Sequence, residues 1–258
     1  MEIGISSACF YPLATEESLE KVGELGFKTC EIFMNSPSEL EGRLLNELCA
    51  IKDYYGLTVR SIHPFTSAFE TSMFFSLYER RFYDAIDFYK RYCHAANKLG
   101  AEMIVFHGEK TNHRFIPELY AERYAKLLES AVGEGIFIAH ENVNGFNCAK
   151  PENMKFVADY AGENFRMVLD IKQCRRAGVS EFDFIKLFGD RIAQVHISDF
   201  DSINDCLPPG EGKYDFGKLF DFLRVNGYDK TALIELYSEN YKNIRQISDS
   251  EKFLLNFC

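Results

Sequence analysis

The chain has 258 residues, of which 47% are hydrophobic, and its 29 basic and 39 acidic residues give a formal net charge of -10. This length suits one α/β barrel and allows a large core without disulfides. Because an acidic surface repels polyanions, the charge disfavours general binding to nucleic acids or acidic membranes.

Short apolar runs recur along the chain at intervals of roughly 30 residues, the length of one strand-helix unit. They are too short for helices and rich in Ile, Val and Phe, so we interpret them as buried strands. The eight runs cover residues 3–7, 30–34, 58–63, 103–107, 136–141, 166–170, 192–196 and 232–236.

The segments between these runs carry signals typical of helices. Thr15 is the predicted N-cap of the first helix, and Ser38 with Glu41 has capping-box spacing at the start of the second. Gly56 and Gly100 follow the last turns of two longer segments, where glycine commonly ends a helix.

Eight strands that alternate with helices predict a parallel sheet closed into a (β/α)8 barrel. No linker rich in Pro, Gly or Ser divides the chain, so we expect a single domain over residues 1–258. An open doubly wound sheet is the alternative. However, the GxGxxG motif after the first strand and the GxxxxGK[ST] loop are both missing from the sequence.

The cysteines and the apolar segments bear on the location of the protein. The eight cysteines are scattered without a CxxC pair, which indicates reduced thiols in a cytoplasmic protein. The opening MEIGISSACF lacks the basic and then long apolar segments of a signal peptide. The apolar runs are far shorter than the ~18 residues that a membrane span requires. We therefore expect a cytoplasmic protein with no membrane partner.

Six neighbouring strands end on a histidine or a carboxylate. Since barrel active sites lie at the carboxyl ends of the strands, these side chains should meet at one mouth. Each histidine alone is more often a structural residue than a ligand, so the prediction depends on all six lying at one level. Together they suit a divalent metal ion. They are His63, His107, Glu141, Asp170, His196 and Glu235.

Other polar residues near the strand ends have structural interpretations. Asp199 has the position of an N-cap for the next helix. Strand alternation directs His140 away from the mouth when Glu141 points into it. No role is assigned to His94 or His113. A solvated loop charge is favoured over binding of a substrate phosphate or carboxylate for Lys172, Arg175, Arg176 and Lys213.

These motifs resemble the xylose isomerase-like TIM barrel superfamily. Within it they resemble the sugar phosphate isomerase/epimerase group (the AP endonuclease 2 family), which is related to endonuclease IV and D-tagatose 3-epimerase. The resemblance covers nearly the whole chain. It rests on HEN at 140–142, VLD at 168–170, VHISD at 195–199, PPGEGKYDFGKLFDFL at 208–223 and ALIELY at 232–237.

The resemblance implies that Glu141, Asp170, His196 and Glu235 bind one divalent metal ion, and that the two glutamates act as the acid/base pair. Three oxygens and one nitrogen suit Mn²⁺, Mg²⁺ or Co²⁺, and Zn²⁺ is also compatible.

Further positions are candidates for a second ion or for substrate. His63 and His107 match positions that hold another metal in the endonuclease branch, so they are candidates for a second metal ion or for substrate contact. Phe65 and Phe146 are candidate substrate contacts because they lie close to strand ends. Gln173 is a third candidate, since the family often has a substrate-contacting histidine there.

Two further departures from the family pattern bear on function. The segment DFDSINDCLPPGEGKYDF lacks the Asp-x-His pair with which the endonuclease completes a three-zinc cluster, so cleavage of DNA is not expected. Ser202 stands where the epimerases commonly have an arginine.

Proton transfer next to a carbonyl is the chemistry that this set of residues favours. Removing such a proton creates an enediolate, which a divalent cation stabilises. Glu141 and Glu235 are separated by two strands, so they can flank one substrate. We expect an isomerase or epimerase of a sugar, sugar phosphate or polyol, with no nucleic-acid partner, and a homo-oligomer is left open. The alternatives are a lyase that dehydrates an inosose or dehydroshikimate-type substrate, an endonuclease IV-like repair nuclease and a non-catalytic sugar-binding protein.

Overall fold

The computed structural model describes residues 1–65, 67–112 and 115–258, so His113 lies outside the described residues. Within these ranges the strands are parallel and follow chain order around a closed barrel, in which β8 pairs with β1. The predicted single-domain (β/α)8 barrel is therefore confirmed. The strands are β1 (Glu2–Ser6), β2 (Thr29–Met34), β3 (Thr58–Pro64), β4 (Met103–Phe106), β5 (Phe137–Glu141), β6 (Arg166–Asp170), β7 (Ile192–Ile197) and β8 (Thr231–Ile234).

Helices cover the outside of the barrel, and the connections after β3 and β6 contain two helices each. They are α1 (Thr15–Glu24), α2 (Gly42–Tyr55), α3 (Ser67–Phe74), α4 (Glu79–Leu99), α5 (Pro117–Gly133), α6 (Pro151–Ala161), α7 (Ile171–Ala177), α8 (Glu181–Phe188), α9 (Phe216–Val225) and α10 (Arg245–Leu254). No helix in the described part of the chain combines the length and apolar character of a membrane span.

The observed strands agree closely with the predicted runs. β6 has the predicted bounds, and the largest difference is at β8, which ends at Ile234. Glu235 therefore follows its strand, but its backbone N–H donates to Ile197 O at 3.0 Å. This bond continues the pairing with β7, so Glu235 stays at the level of the barrel mouth.

Two predicted helix starts are wrong. Ala14 is the N-cap of α1, while the Thr15 hydroxyl donates to Phe33 O at 3.3 Å instead of capping the helix. The capping box belongs to Ser36 and Glu39, which form it at a short 3-10 turn before α2. The helix α1 therefore starts one residue earlier than predicted, whereas α2 starts later, at Gly42, after the 3-10 turn. The predicted helix ends are correct, because Gly56 and Gly100 are C-caps with φ of 64° and 73°.

The core has two layers, because successive strand residues face opposite sides of the sheet. Inside the barrel a small apolar cluster of Met103, Val105, Ala139 and Val168 lies below the mouth. The larger cluster lies between the strands and the helices. His140 belongs to this outer layer, where its ring packs against Tyr120 and Tyr124 of α5. Burial lowers its pKa to about 3, so it is a neutral core histidine that points away from the mouth, as predicted.

The close approach of β1 and β2 generates a test of the barrel. A Cβ on Gly4 would lie 2.5 Å from the backbone oxygen of Thr29 and 2.6 Å from Leu233 Cδ2. Gly4→Ala should therefore overpack the barrel and lower the free energy of unfolding by about 1–3 kcal/mol. The control is Gly133→Ala in α5, where an added Cβ meets no described atom within 4 Å. The measurement is urea unfolding. If Gly4→Ala and Gly133→Ala unfold at the same urea midpoint, the close packing around Gly4 is contradicted.

Candidate metal centre

Four of the predicted site residues converge at the carboxyl mouth of the barrel. Strands β5 and β6 end with Glu141 and Asp170, His196 is the second-last residue of β7, and Glu235 follows β8. One ligand atom of each residue lies within 4.8 Å of the ligand atoms of the other three. The register supports this convergence, because Asp170 is the direct neighbour of His196 in the β6–β7 pairing.

The two nitrogens of His196 face different partners. Nδ1 lies 3.1 Å from Glu141 Oε1 and 3.6 Å from Glu235 Oε2, among the other candidate ligands. Nε2 lies 3.2 Å from Glu31 Oε2, on the side of the barrel interior. A carboxylate that accepts the Nε2 proton leaves Nδ1 available as a ligand and fixes the plane of the ring.

Glu31 is a site residue that the sequence analysis missed. It is fully buried in β2 and accepts hydrogen bonds from Ser6 Oγ at 2.9 Å, Ser61 Oγ at 2.7 Å and Gln194 Nε2 at 2.8 Å. Burial alone would raise its pKa, but the neighbouring His196 and His63 lower it to about 2, so Glu31 is charged. The available signal was an acidic residue within the otherwise apolar run CEIFM, but it lies inside the strand and not at its end.

A second group of potential ligands shares Glu141 with the first. His63 Nε2 and His107 Nε2 lie 3.2 Å apart, and they are 3.6 and 3.3 Å from Glu141 Oε2. Since Glu141 Oε1 faces His196, this carboxylate can contact two cations at once. The buried Glu70 of α3 supports the group by accepting the backbone N–H groups of His107 and Gly108, each at 2.8 Å.

The electrostatic field at the mouth favours positive charge. Burial alone would lower the pKa of His63, but the carboxylates of Glu31 and Glu141 raise it to about 9. Burial likewise opposes protonation of His196, and Glu31 and Glu235 nevertheless raise its pKa well above the usual range. A divalent cation supplies positive charge to the same carboxylates, so the field suits a metal ion as well as protons.

The donor set fits such an ion. Asp170 Oδ1 accepts the backbone N–H of Gln173 at 3.1 Å, whereas the buried Oδ2 faces the ammonium group of Lys172 at 3.1 Å. Oδ2 therefore already faces a positive charge, as a metal ligand does. Three carboxylates and one imidazole are hard to intermediate donors that suit Mn²⁺, Mg²⁺, Co²⁺ or Zn²⁺.

The interpretation of Lys172 as a solvated loop charge is wrong, because the residue is buried at the mouth of the barrel. Its side chain is only 2% exposed, and Nζ lies 3.1 Å from Asp170 Oδ2 and 2.8 Å from Glu235 Oε2. The reason is local, because Asp170 is the N-cap of α7, and the first turn of that helix directs Lys172 into the mouth. Arg176 also lies in α7 and not in a loop, where it pairs with the partly exposed Asp205 and donates to the Tyr237 hydroxyl at 2.8 Å.

Asp199 does not cap the next helix, contrary to prediction. Asp215 caps α9 by accepting the backbone N–H of Lys218 at 2.9 Å. Asp199 instead accepts three backbone N–H groups of the loop after β7, those of Gly210, Gly212 and Tyr214, each at 2.9 Å. This carboxylate holds the PPGEG segment against the end of the strand.

A cavity of about 670 Å³ opens above the centre. Polar and aromatic groups share its wall, which suits a small polyhydroxylated ligand. Phe65 and Gln173, the two candidate substrate contacts, line it, and the Gln173 side chain accepts Asn144 N–H at 3.1 Å. Phe146 packs against His107 with ring centroids 6.1 Å apart and is not among the lining residues, so its predicted substrate contact lacks support. The lining residues are Ala8, Tyr11, Phe33, Asn35, His63, Pro64, Phe65, His107, Glu141, Val143, Lys172, Gln173, Glu235 and Tyr237.

A closed barrel with a polar centre at the carboxyl ends of its strands defines the class of (β/α)8-barrel enzyme folds. The model of the xylose isomerase-like TIM barrel family matches residues 19–257, and the chain belongs to this family.

Individual relatives agree with this assignment. The chain is 27% identical to the uncharacterized protein MJ1311 of Methanocaldococcus jannaschii, over all of this chain and 89% of that protein. The crystal structure of a D-tagatose 3-epimerase-like protein has a TM-score of 0.82 at 23% identity and covers 100% of this chain and 97% of its own. The IOLI protein, solved with a zinc atom, has a TM-score of 0.82 at 18% identity, with 100% and 99% covered. At these identities the two structures establish the fold.

The Glu31–His196 contact predicts an effect on metal affinity. Glu31→Gln replaces a group that only accepts hydrogen bonds by an amide that also donates, so Nε2–H loses its fixed acceptor. Affinity for Mn²⁺ or Zn²⁺, measured by calorimetry, should fall about 10–100-fold. Glu2→Gln, at the amino-terminal end of β1, is the control and should bind as the wild type does. Equal affinities for both variants would contradict the role assigned to Glu31.

Proposed function

We propose that the chain is a divalent-metal-dependent isomerase or epimerase of a small sugar, sugar phosphate or polyol. The observation that carries this proposal is the double position of Glu141 and Glu235, which line the cavity and also belong to the group of candidate ligands. They follow strands on different sides of the mouth. The two carboxylates can therefore reach a bound substrate from two directions.

In this proposal Glu141, Asp170, His196 and Glu235 hold one divalent ion, which supplies Lewis-acid stabilisation of negative charge on substrate oxygens. His63 and His107 bind a second ion or a substrate hydroxyl. The D-tagatose 3-epimerase-like protein and the zinc-containing IOLI protein, which share the fold, support the choice of activity and cofactor.

The proposed reaction is a proton transfer in two steps. One of the two glutamates takes the proton from the carbon next to the carbonyl, and the electron pair of the C–H bond moves to the carbonyl oxygen to form an enediolate. The other glutamate, in its acid form, returns a proton to the opposite face or to the adjacent carbon. The first outcome inverts the carbon, and the second exchanges an aldose with a ketose.

The walls of the cavity support a sugar-sized substrate. Phe33, Phe65 and Tyr237 present ring surfaces to the space above the carboxylates, and such surfaces contact the C–H groups of a sugar. Phe33 also packs against His63, with ring centroids 5.3 Å apart, and so links this wall to the polar centre. Gln173 offers an amide to substrate hydroxyls where the family often has a histidine.

A lyase is the second candidate, because the same base and the same ion serve dehydration of an inosose-type or dehydroshikimate-type substrate. In that reaction the electron pair left by the proton expels a hydroxyl group as water. Only the product separates the two activities, since proton abstraction is the first step of both.

Glu141→Gln and Glu235→Gln should each lower turnover about 10²–10⁴-fold, because an amide cannot accept the proton although its oxygen can still coordinate. The assay incubates the protein with ketoses, their phosphates and inososes in D₂O with Mn²⁺, Mg²⁺, Co²⁺ or Zn²⁺, followed by NMR. The matched control is Glu109→Gln, a buried carboxyl group paired with Asn147 outside the candidate ligands, which should retain turnover.

Deuterium next to the carbonyl, together with an epimer or isomer, supports the proposal. Loss of water to a deoxy-diketone or aromatic product assigns the lyase activity instead. If metal-loaded wild type exchanges no candidate substrate, both activities are rejected.

DNA containing abasic sites should not be cleaved. The segment 199–216 has no histidine to complete a third metal site, and the net charge of -10 opposes DNA binding. The measurement incubates an abasic duplex with metal-loaded protein at ~150 mM salt, where weak electrostatic binding is already screened. Metal-dependent nicking that disappears in Glu141→Gln would assign a nuclease activity to the centre.

A further inference from the structure

We propose that Lys172 is an internal cation that competes with the divalent ion for Asp170 and Glu235, so that metal loading is an exchange of cations. This inference rests on the proposed metal centre. It assigns Lys172 the role of setting how tightly that centre holds its ion.

The ammonium faces the oxygens that a metal ion requires. Asp170 Oδ1 is already bonded to the Gln173 backbone, and the other oxygen of this carboxylate, Oδ2, faces Lys172. Lys172 Nζ lies 3.1 Å from that oxygen and 2.8 Å from Glu235 Oε2. Glu235 Oε2 is also the oxygen that lies 3.6 Å from His196 Nδ1. The lysine thus occupies one side of the group in which all four candidate ligands meet.

The charge of Lys172 cannot be dispersed into water, because the side chain is 2% exposed. Burial alone would favour the neutral amine, but the carboxylate oxygens of Asp170 and Glu235 at 3.1 and 2.8 Å favour the ammonium ion. A divalent ion bound to Asp170 and Glu235 would lie close to this ammonium group. The two cations would repel each other more strongly in this buried site than in water. A divalent ion therefore has to displace the ammonium or bind against its repulsion.

The lysine has room to respond. Its four-carbon stem is flexible, and Nζ lies 5.0 Å from the centre of the Tyr237 ring, which is 38% exposed at the mouth. An aromatic face is a favourable place for an ammonium ion.

The opposite role, in which Lys172 holds the carboxylates ready for metal, is less consistent with the contacts. Asp170 is already fixed by its N-cap bond to Gln173 and by Asn142, whose side chain accepts the Asp170 backbone N–H at 2.8 Å. The backbone of Glu235 is fixed by its bond to Ile197, and its carboxylate keeps a second neighbour in His196 Nδ1 at 3.6 Å. Both ligands keep these supports when the lysine is removed, so repulsion dominates its effect.

The test compares Lys172→Met, which keeps the length of the side chain and removes its charge, with Lys172→Arg, which keeps the charge. Lys213→Met is the matched control, because Lys213 is exposed in the loop after β7. Each protein is stripped with a chelator and titrated with Mn²⁺ and with Zn²⁺ by calorimetry. Thermal unfolding with and without each ion provides an independent readout of binding.

Lys172→Met should bind each ion at least about tenfold more tightly than wild type, a change of about 1.4 kcal/mol. Addition of metal should also raise the unfolding temperature of Lys172→Met by more than it raises that of wild type. Lys172→Arg and Lys213→Met both keep a positive charge at position 172. They should therefore bind within about threefold of wild type, well below the tenfold change expected when that charge is lost.

The competition is rejected if Lys172→Met binds the ions no more tightly than wild type does, provided that the variant has the circular dichroism spectrum of the wild type. If wild type binds metal in that case, the proposed centre stands and this inference alone fails. If neither wild type nor Lys172→Met binds Mn²⁺ or Zn²⁺, the metal centre is rejected and the inference with it.

Discussion

The balance of buried charge is the constraint on which the rest of the site depends. Closure of the barrel brings the carboxylates of Glu31, Glu141, Asp170 and Glu235 together at one mouth, largely out of contact with water. Uncompensated burial of even one carboxylate is expensive, so cations have to accompany this group. The chain provides imidazoles and one ammonium, and the same field attracts a divalent ion. The raised pKa values, the position of Lys172 and the proposed cofactor therefore have one physical origin.

The fold produces this cluster through strand alternation. Residues that point inward along β4, β5 and β6 begin with the apolar Met103, Val105, Ala139 and Val168, and continue upward to Glu141 and Asp170. The apolar layer closes the barrel beneath the centre, while the loops leave a cavity above it. The carboxylates are thus held in a pocket with one open side, and there they interact more strongly with a bound cation or substrate than they would in water.

The sequence predicted the barrel and six residues of the mouth because both follow from short-range patterns. Short apolar runs rich in Ile, Val and Phe identified the strands, and a polar residue at the end of six of these runs identified the position of the mouth. Glu31 was missed because it lies within its strand, where a charged residue has no pattern of its own. Lys172 was misread because its direction depends on α7 starting immediately after Asp170. The Asp199 error has a similar cause, since its partners are 11 to 15 residues away in the loop that it folds.

The same charge balance connects metal binding with the proposed chemistry. An imidazole has to be neutral to coordinate, so an ion that binds His196 replaces a proton there and leaves the site with one more positive charge. This change matters for proton abstraction next to a carbonyl, because the transfer neutralises a glutamate and moves its negative charge to the oxygens of the substrate. Protons on His196 and His63 offset the charge of the resting carboxylates. A divalent ion would stabilise the charge in its new position on the substrate oxygens, and Glu31 remains buried behind His196 as the acceptor that keeps the ring in its coordinating form.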